Sequence, residues 1–142
     1  IRRAMAGDGY GRHIGLELVD AAAGSAAVRM RVGPQHLNFN GRCHGGAIFS
    51  LADMALGLAC NSHGTVAALV DGNISISAGA EEGEWLLAHA SEVSRSRKLA
   101  VYRVDVRREA GGEHVASLSG TVYLTGRPVL GGSGGVAAER SN

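Results

Sequence analysis

Hydrophobic and polar residues alternate in several stretches of the chain, the pattern of a β-strand with one buried face. The first two such stretches cover 14–19 and 28–32, and Gly33-Pro34 ends the second because proline has no N–H for a strand ladder. Four more strands are predicted in the second half of the chain, over 66–77, 85–93, 102–107 and 116–124. The third strand is expected to be interrupted near Asp71-Gly72.

Alternation is lost between Gly45 and Ser62, where Ala, Leu, Met, Ile and Phe follow one another and good helix formers dominate. The pattern predicts one helix of roughly 27 Å, with Gly64 as its left-handed end. Because the helix is apolar on nearly every side, we expect it to be buried. Two strands, a helix and then four strands predict an α+β fold, an antiparallel sheet of about five to six strands around one helix.

The length of 142 residues fits one domain. We assign residues 1–128 to this domain and residues 129–142, with their run Gly131-Gly132-Ser133-Gly134-Gly135, to a glycine-rich flexible tail. Residues 1–12 are predicted to form a short helix or an arm.

Charge and composition exclude several classes of partner. Fourteen Lys and Arg against thirteen Asp and Glu give a net charge of +1, and only 4% of residues are aromatic, so no nucleic-acid partner is expected. The longest apolar run, Ala47–Cys60, is too short to span a bilayer and contains Asp53. The sequence predicts a soluble protein without a membrane partner.

The two cysteines, Cys43 and Cys60, form no CxxC pair, and a reducing compartment is expected. Cys43 and His44 are adjacent, so their side chains are not expected to converge as a nucleophile and its base. The histidines lack zinc-type spacing, and no metal is expected. Ser50 has no G-x-S-x-G context, and the P-loop and dinucleotide glycine patterns are absent from the sequence.

The candidate chemistry lies where the predicted helix begins. Gly45 and Gly46 lie in its first turn, where N–H groups lack helical partners and a substrate oxygen can approach them closely. Asp53 lies in mid-helix among apolar residues. Taken singly, the glycines fit a tight turn, Asp53 a carboxylate satisfied by backbone donors, His44 a core or surface histidine and Asn38 a turn residue. Helical spacing also places small or polar residues in one stripe: Ser50, Asp53, Gly57, Cys60 and Asn61.

In combination, the stretch from Asn38 to Asn61, with Cys43-His44-Gly45-Gly46 and Ser50-Leu51-Ala52-Asp53, resembles the hotdog-fold acyl-CoA thioesterases of the phenylacetic acid degradation type. The resemblance extends more weakly over 14–125. It implies a long central helix wrapped by a curved antiparallel sheet, a cytoplasmic homo-oligomer (a dimer or homotetramer) and active sites at the subunit interface. It implies no cofactor, since coenzyme A is part of the substrate.

The resemblance also implies roles for individual residues. Asp53 would activate water as a general base or attack the thioester itself, and the Gly45 N–H would polarise the thioester carbonyl. His44 would support that carbonyl or the sulfur side of the substrate, and Asn38 would orient the water or the thioester. Gly46 and Asn61 are further candidates for substrate binding.

Coenzyme A carries phosphates, and Arg95, Arg97 and Lys98 form the only concentrated basic link in the sequence. They are candidates for binding the nucleotide, although a solvated turn would have the same composition. Four large side chains could shape an acyl pocket, although core packing is favoured for each: Phe39, Phe49, Met54 and Trp85. An aryl or phenylacetyl group is the expected acyl class, by resemblance alone.

Two other functions remain open. An enoyl-CoA hydratase of the same fold would pair an acid with a histidine, so it requires His44 to reach Asp53. A non-catalytic acyl-CoA-binding module would bind its ligand without turnover.

Overall fold

The computed structural model describes residues 1–129. The predicted tail over 129–142 therefore lies, except for its first residue, outside the described residues. The helices are α1 (Arg2–Ala6), α2 (Gly9–His13) and α3 (Gly45–Asn61), with a short 3-10 turn at Pro34–His36. The strands are β1 (Leu16–Ala22), β2 (Ser25–Arg31), β3 (Thr65–Ile76), β4 (Trp85–Arg95), β5 (Leu99–Arg108) and β6 (His114–Pro128).

Within residues 1–129 the strands form one six-stranded antiparallel sheet in the order β1-β2-β4-β5-β6-β3. Strand β3 follows the helix along the chain yet pairs with the last strand, so its other side is an edge of the sheet. One long helix against an antiparallel sheet is the α+β arrangement predicted from the sequence, and that prediction is confirmed.

Helix α3 packs across β2, β3, β4 and β5, and its buried side chains form the centre of the core. Residues buried on the helix are Ile48, Leu51, Ala52, Ala55, Leu56, Leu58, Ala59 and Cys60. The helix lies very close to the sheet at Gly120, where an added Cβ would be only 2.6 Å from the Leu56 Cδ1. The helix is not buried all round, because one stripe remains half-exposed and faces a groove.

The interruption predicted near Asp71-Gly72 is not observed in strand β3. The strand runs unbroken, and Asp71 and Gly72 still pair with β6, because a register shift between Leu69 and Asp71 absorbs the irregularity as a β-bulge. A bulge lets polar and glycine residues lie in an edge strand without ending it. The N-terminal segment is also more ordered than an arm, since it folds into the short helices α1 and α2.

The predicted end of α3 is close to the observed one. The last helical residue is Asn61, and Gly64 has a φ of +91, the left-handed conformation expected there. The Asn61 amide then fixes the next strand, accepting from the Ala67 N–H at 3.0 Å and donating to the Ala67 carbonyl at 3.2 Å.

Candidate functional site

The loop before α3 is held in a closed shape by Asn38. Its Oδ1 accepts hydrogen bonds from the Asn40 N–H at 2.9 Å and the Arg42 N–H at 3.2 Å. Leu37 and Cys43 pair across the base of the loop as an isolated β-bridge. The turn role of Asn38 is therefore real, and it leaves the Nδ2 group of the same side chain as a potential donor to a ligand.

A second histidine, which sequence reasoning did not single out, anchors the approach to the helix. His36 is buried; its Nδ1 accepts from the Gly33 N–H at 2.9 Å, so the ring donates through Nε2 to the Ile14 carbonyl at 2.7 Å. Its own carbonyl accepts from the His44 N–H at 2.6 Å. His36 therefore fixes the position from which α3 starts.

His44 is the N-cap of α3. Its Nδ1 accepts from the Gly46 N–H at 2.9 Å, so the neutral ring carries its proton on Nε2 and can donate from that side. The Gly46 N–H is consequently used within the chain. The Gly45 N–H makes no hydrogen bond to any residue between 1 and 129, and it is the donor that a substrate oxygen could take.

Asp53 is half-buried and borders a groove of about 540 Å³ between α3 and the N-terminal helices. Burial raises the pKa of Asp53 above its ordinary value, and among the described residues no hydrogen bond or charge offsets this effect. An isolated carboxylate at a groove accepts protons more readily than one in water. It is suited to act as a base.

The predicted polar stripe on the helix is mostly present. Ser50, Asp53, Gly57 and Asn61 all line the groove, together with the apolar side chains of Phe49, Met54 and Leu58. Cys60 does not, because it is buried in the core, where burial raises the pKa of its thiol to about 11. Asn61 borders the groove, but its amide already bonds the Gly57 and Ala67 backbone.

The basic link forms a second, separate groove of about 530 Å³ with Arg95, Arg97 and Lys98 on its wall. Arg97 and Lys98 are exposed. The guanidinium of Arg95 lies 3.7 Å from the Glu92 carboxylate, so part of its charge is already balanced.

The large side chains differ in their surroundings. Phe49 and Met54 border the Asp53 groove, as the acyl-pocket reading requires. Trp85 lies outside it, with the Arg29 guanidinium 4.5 Å from its ring centroid. Phe39 is 97% exposed, so the prediction that it packs in the core is wrong, because the closed loop that Asn38 holds displays the ring to solvent.

Asp53 and the Gly45 N–H do not meet within one chain. Eight residues separate them on one helix, which is about 12 Å along the axis at 1.5 Å per residue. His44 lies one residue further away, so no Asp53–His44 pair forms in the chain, and the geometry that the hydratase reading required is missing within it. A group bound at the Gly45 N–H therefore lies far from the Asp53 carboxylate of the same chain.

No group of three or more His, Cys, Asp or Glu side chains between residues 1 and 129 is arranged to hold a metal ion. None of the helices in that range has the length and apolar character needed to cross a bilayer.

Residues 40–115 match the family model of the thioesterase superfamily, which is more than half of the chain. The chain belongs to this superfamily. Its hotdog fold, predicted from the resemblance, is confirmed by the Escherichia coli protein PaaI, whose structure superposes with a TM-score of 0.86 at 29% identity over 89% of this chain and 91% of that one.

Two relatives of this superfamily member are named as an esterase and a thioesterase, and a third similar protein was solved with acetyl-CoA. An Archaeoglobus fulgidus protein, named as a presumed esterase, is 45% identical over 112 residues, covering 75% of this chain and 72% of that protein. The acyl-coenzyme A thioesterase PaaI of E. coli is 33% identical over 99 residues, 70% of this chain and 71% of that protein. A Streptococcus mutans protein solved with acetyl-CoA has a TM-score of 0.76 at 29% identity, over 80% of this chain and 91% of that one.

Proposed function

We propose that this protein hydrolyses acyl-CoA thioesters to a free acid and coenzyme A. The observation that carries the proposal is the Asp53 carboxylate, which borders a largely apolar groove without a partner among residues 1–129. Membership of the thioesterase superfamily and the similarity to the acyl-CoA thioesterase PaaI support the same reaction.

In this reaction Asp53 takes a proton from a water molecule as the water oxygen attacks the thioester carbonyl carbon. The C–O bond forms, the C–S bond breaks, and the departing thiolate of coenzyme A takes up the proton. General-base assistance of this kind contributes roughly 10²–10⁴ in rate. Direct attack by the carboxylate would form a mixed anhydride, and single turnover in ¹⁸O-labelled water distinguishes the two routes because only anhydride hydrolysis can label Asp53.

The carbonyl oxygen is bound by the Gly45 N–H in this proposal. That N–H lies at the positive end of the helix dipole, where developing negative charge is stabilised. His44 adds a donor through Nε2, since Nδ1 is used by the cap. Asn38 orients the water or the thioester through its Nδ2, since Oδ1 is used by the loop.

Because Gly45 and Asp53 are about 12 Å apart along one helix, we infer that each active site combines Gly45 of one chain with Asp53 of another. The exposed surface formed by strand β3 and the loop with Phe39 supports a second copy of this chain as the partner. Within residues 1–129, strand β3 has a partner strand on one side only, and its residues Leu69, Val70 and Ile76 are exposed. Phe39, next to Asn38, is 97% exposed. Such edges and aromatic side chains are favourable contacts between subunits. A dimer, or a homotetramer built from dimers, satisfies this requirement.

The two grooves support a proposal for the substrate class. The basic groove with Arg95, Arg97 and Lys98 supplies charges for the phosphates of coenzyme A, and the Asp53 groove takes the acyl group. Phe49, Met54 and Leu58 suit an apolar acyl group, and we propose an aryl or phenylacetyl group because the similar E. coli protein comes from the phenylacetic acid degradation operon. The buried free thiols of Cys43 and Cys60 fit a reducing compartment, and we propose the cytoplasm.

A panel of thioesters tests the reaction. Phenylacetyl-, benzoyl-, acetyl- and octanoyl-CoA are incubated with the protein, and free thiol is measured with a thiol reagent. Thiol release with each turnover supports hydrolysis, and the highest kcat/KM for an aryl substrate supports the acyl class. Binding of every thioester without thiol release would instead mean a binding module, and hydration of an enoyl-CoA without thiol release would mean a hydratase.

Mixed subunits test the shared site. Gly45→Pro removes the backbone N–H proposed to bind the carbonyl, and proline is well tolerated at the first position of a helix. The preceding residue, His44, already has a φ of -63 and a ψ of 137, which a following proline allows. Gly45→Ala is the matched control, since it adds a Cβ and keeps the N–H.

We expect Gly45→Pro to lose about 10²–10³ in kcat, the effect of removing one oxyanion donor, and Gly45→Ala to lose much less. When Gly45→Pro and Asp53→Asn chains are co-expressed, mixed dimers contain one site with both groups intact. Roughly a quarter of the wild-type activity should return, because half of the dimers are mixed and each has one working site of two. If no activity returned in mixed dimers that were isolated intact, the shared site would be wrong.

A further inference from the structure

The N-terminal helices α1 and α2 cover one side of the groove that contains Asp53, and Tyr10 of α2 is tied to α3. The Tyr10 hydroxyl and the Ser50 Oγ are 2.9 Å apart, and the Ser50 Oγ donates to the Gly46 carbonyl at 2.8 Å. Since the only proton of Ser50 is used on Gly46, Tyr10 is the donor to Ser50. The tie reaches α3 one turn before Asp53.

The backbone that carries Tyr10 is fixed as well. Asp8 caps α2 by accepting from the Gly11 N–H at 2.7 Å. Gly11 is buried against α3, and an added Cβ there would lie only 2.8 Å from the Met54 Cε. Tyr10 is therefore held at its backbone and at its hydroxyl, and its ring has a defined place relative to Asp53.

The ring forms part of the wall of the groove and does not fill it. Tyr10 lines the groove together with Ala4, Phe49 and Met54, yet 59% of the residue is exposed. It is therefore at the boundary between the groove and solvent. An acyl group extending from the thioester beside Asp53 along this groove would meet the Tyr10 ring.

We propose that Tyr10, positioned by Ser50, is a specificity-determining residue that limits the length of the acyl group. The proposal rests on the proposed thioesterase function and assigns the contact with the far end of the acyl group to α2 of the N-terminal segment. A short or aryl acyl group ends before the ring, whereas a long straight chain must displace it. Apolar pockets discriminate between acyl groups differing by one methylene by about 10–200-fold, so one ring is sufficient for such a limit.

Tyr10→Ala, Tyr10→Phe and Ser50→Ala are compared by the ratio of kcat/KM for octanoyl-CoA to that for butyryl-CoA. Tyr10→Ala removes the wall and should raise this ratio by about tenfold or more. Tyr10→Phe and Ser50→Ala keep the ring and remove its hydrogen bond, and each should raise the ratio by about two- to threefold. The double variant Tyr10→Phe/Ser50→Ala should match either single variant, because both substitutions break the same hydrogen bond.

Ser119→Ala is the matched control for loss of a hydroxyl, since Ser119 is exposed on β6 and does not line the groove. It should leave the ratio unchanged. Dissociation constants of S-octyl- and S-butyl-CoA, thioethers that cannot be hydrolysed, are measured by calorimetry for the same variants and should change in the same ratio. An unchanged ratio in Tyr10→Ala, or additive effects of Tyr10→Phe and Ser50→Ala, would overturn the proposal.

The thioethers separate this proposal from the proposed function. If the wild type hydrolyses none of the thioesters, the thioesterase proposal fails. The dissociation constants of the two thioethers still test whether the Tyr10 ring limits the length of the acyl group. If thioesters are hydrolysed and Tyr10→Ala lowers kcat/KM equally for both chain lengths, the reaction stands and the role of Tyr10 is wrong.

Discussion

Asp53 and Glu92 are both partly buried acids, and their surroundings have opposite effects on them. Asp53 has no partner among the described residues, and burial raises its pKa. The Glu92 side chain is 24% exposed, and its Oε2 accepts from the Tyr102 hydroxyl at 2.6 Å and from His63 Nε2 at 2.7 Å. These contacts, the Tyr102 hydrogen bond above all, lower the pKa of Glu92.

Glu92 therefore stabilises the fold, whereas the burial of Asp53 lowers the stability. Glu92 on β4 joins Tyr102 on β5 to His63 just after α3, so its charge holds three segments together. Asp53 has no hydrogen-bond or ion-pair partner among residues 1–129, and burial disfavours its charged form in the folded state. An isolated acid of this kind is expected where a reaction needs a base, and it can be tested against its partnered counterpart.

The largest expected effect is the loss of turnover in Asp53→Asn. Removing the base should lower kcat for the best thioester by at least about 10². The free energy of unfolding should stay the same or rise, because the amide does not carry the penalty of a buried charge. Thiol release gives kcat, and urea unfolding followed by circular dichroism gives the stability.

Glu92→Gln is the counterpart of that variant, since it neutralises the partnered acid by an equally small change. It should lower the stability and leave kcat of the folded protein within about threefold of the wild type. Wild-type turnover in Asp53→Asn would remove Asp53 from the mechanism. If both variants lost stability alike, the two acids would not differ as described.

The next effect is on stability, through the hydroxyl of Tyr102. Tyr102 is fully buried, and Tyr102→Phe removes its hydrogen bond to the Glu92 carboxylate. Hydrogen bonds to charged groups contribute about 1.5–3 kcal/mol, and we expect the lower end of this range because Glu92 keeps some contact with water. Urea unfolding at neutral pH measures the change.

Tyr123→Phe serves as the control for loss of a phenol hydroxyl, since Tyr123 is 44% exposed. It should change the free energy of unfolding by no more than about 0.5 kcal/mol. An equal loss in the two variants would mean that the bond to Glu92 adds nothing beyond an exposed hydroxyl.

The pH dependence of stability should separate the two acids. The pKa of Glu92 is lowered in the folded state, so its contribution is present above its unfolded pKa of about 4.3 and is lost as the pH falls through the folded value. The pKa of Asp53 is raised, so the excess stability of Asp53→Asn should disappear as the pH falls through the folded value towards about 3.9.

Two differences in the free energy of unfolding should therefore disappear over different pH ranges. As the pH falls, the stability gap between Asp53→Asn and the wild type should narrow through the raised folded pKa of Asp53 and be closed by about pH 3.9. The gap between the wild type and Tyr102→Phe should begin to narrow only below about pH 4.3, as the pH falls towards the lowered folded pKa of Glu92. The acid limb of kcat/KM should follow the raised pKa of Asp53. An acid limb at or below the ordinary aspartate pKa would contradict the isolated carboxylate.

The sequence predicted one of these acids and not the other, for a physical reason. Asp53 was recognisable because a charged residue among the apolar residues of one helix contradicts its surroundings, and this is visible within a few residues. Glu92 gave no such signal, because its partners His63 and Tyr102 are 29 and 10 residues away in the chain and meet it only in the folded sheet.

The same distinction explains the rest of the site. Helix α3 and the strands were predicted because their patterns are local, whereas the bulge in β3 depends on its pairing with β6. The Tyr10–Ser50 hydrogen bond joins residues that are 40 positions apart in the chain, and no local sequence pattern in the N-terminal segment predicts it. The resemblance assigned roles to Gly45, His44 and Asn38, but the hydrogen bond from the Gly46 N–H to His44 is seen only in the folded loop.

The smallest expected effect concerns the basic link, where one arginine touches the partnered acid and its neighbours do not. Arg95 lies 3.7 Å from Glu92, whereas Arg97 and Lys98 are exposed. Each exposed charge contributes up to about 1 kcal/mol to an ion pair, so Arg97→Ala/Lys98→Ala should raise KM for an acyl-CoA by about three- to tenfold and leave the stability unchanged.

An acyl-pantetheine, which lacks the nucleotide, provides the control substrate, and its KM should not change in the Arg97→Ala/Lys98→Ala variant. Arg95→Ala should behave differently, with a smaller change in KM and a measurable loss of stability, because its charge is shared with Glu92. An equal rise in KM for both substrates would show that the link does not bind the nucleotide. A loss of stability in the Arg97→Ala/Lys98→Ala variant would show that the network around Glu92 extends further along the link than Arg95.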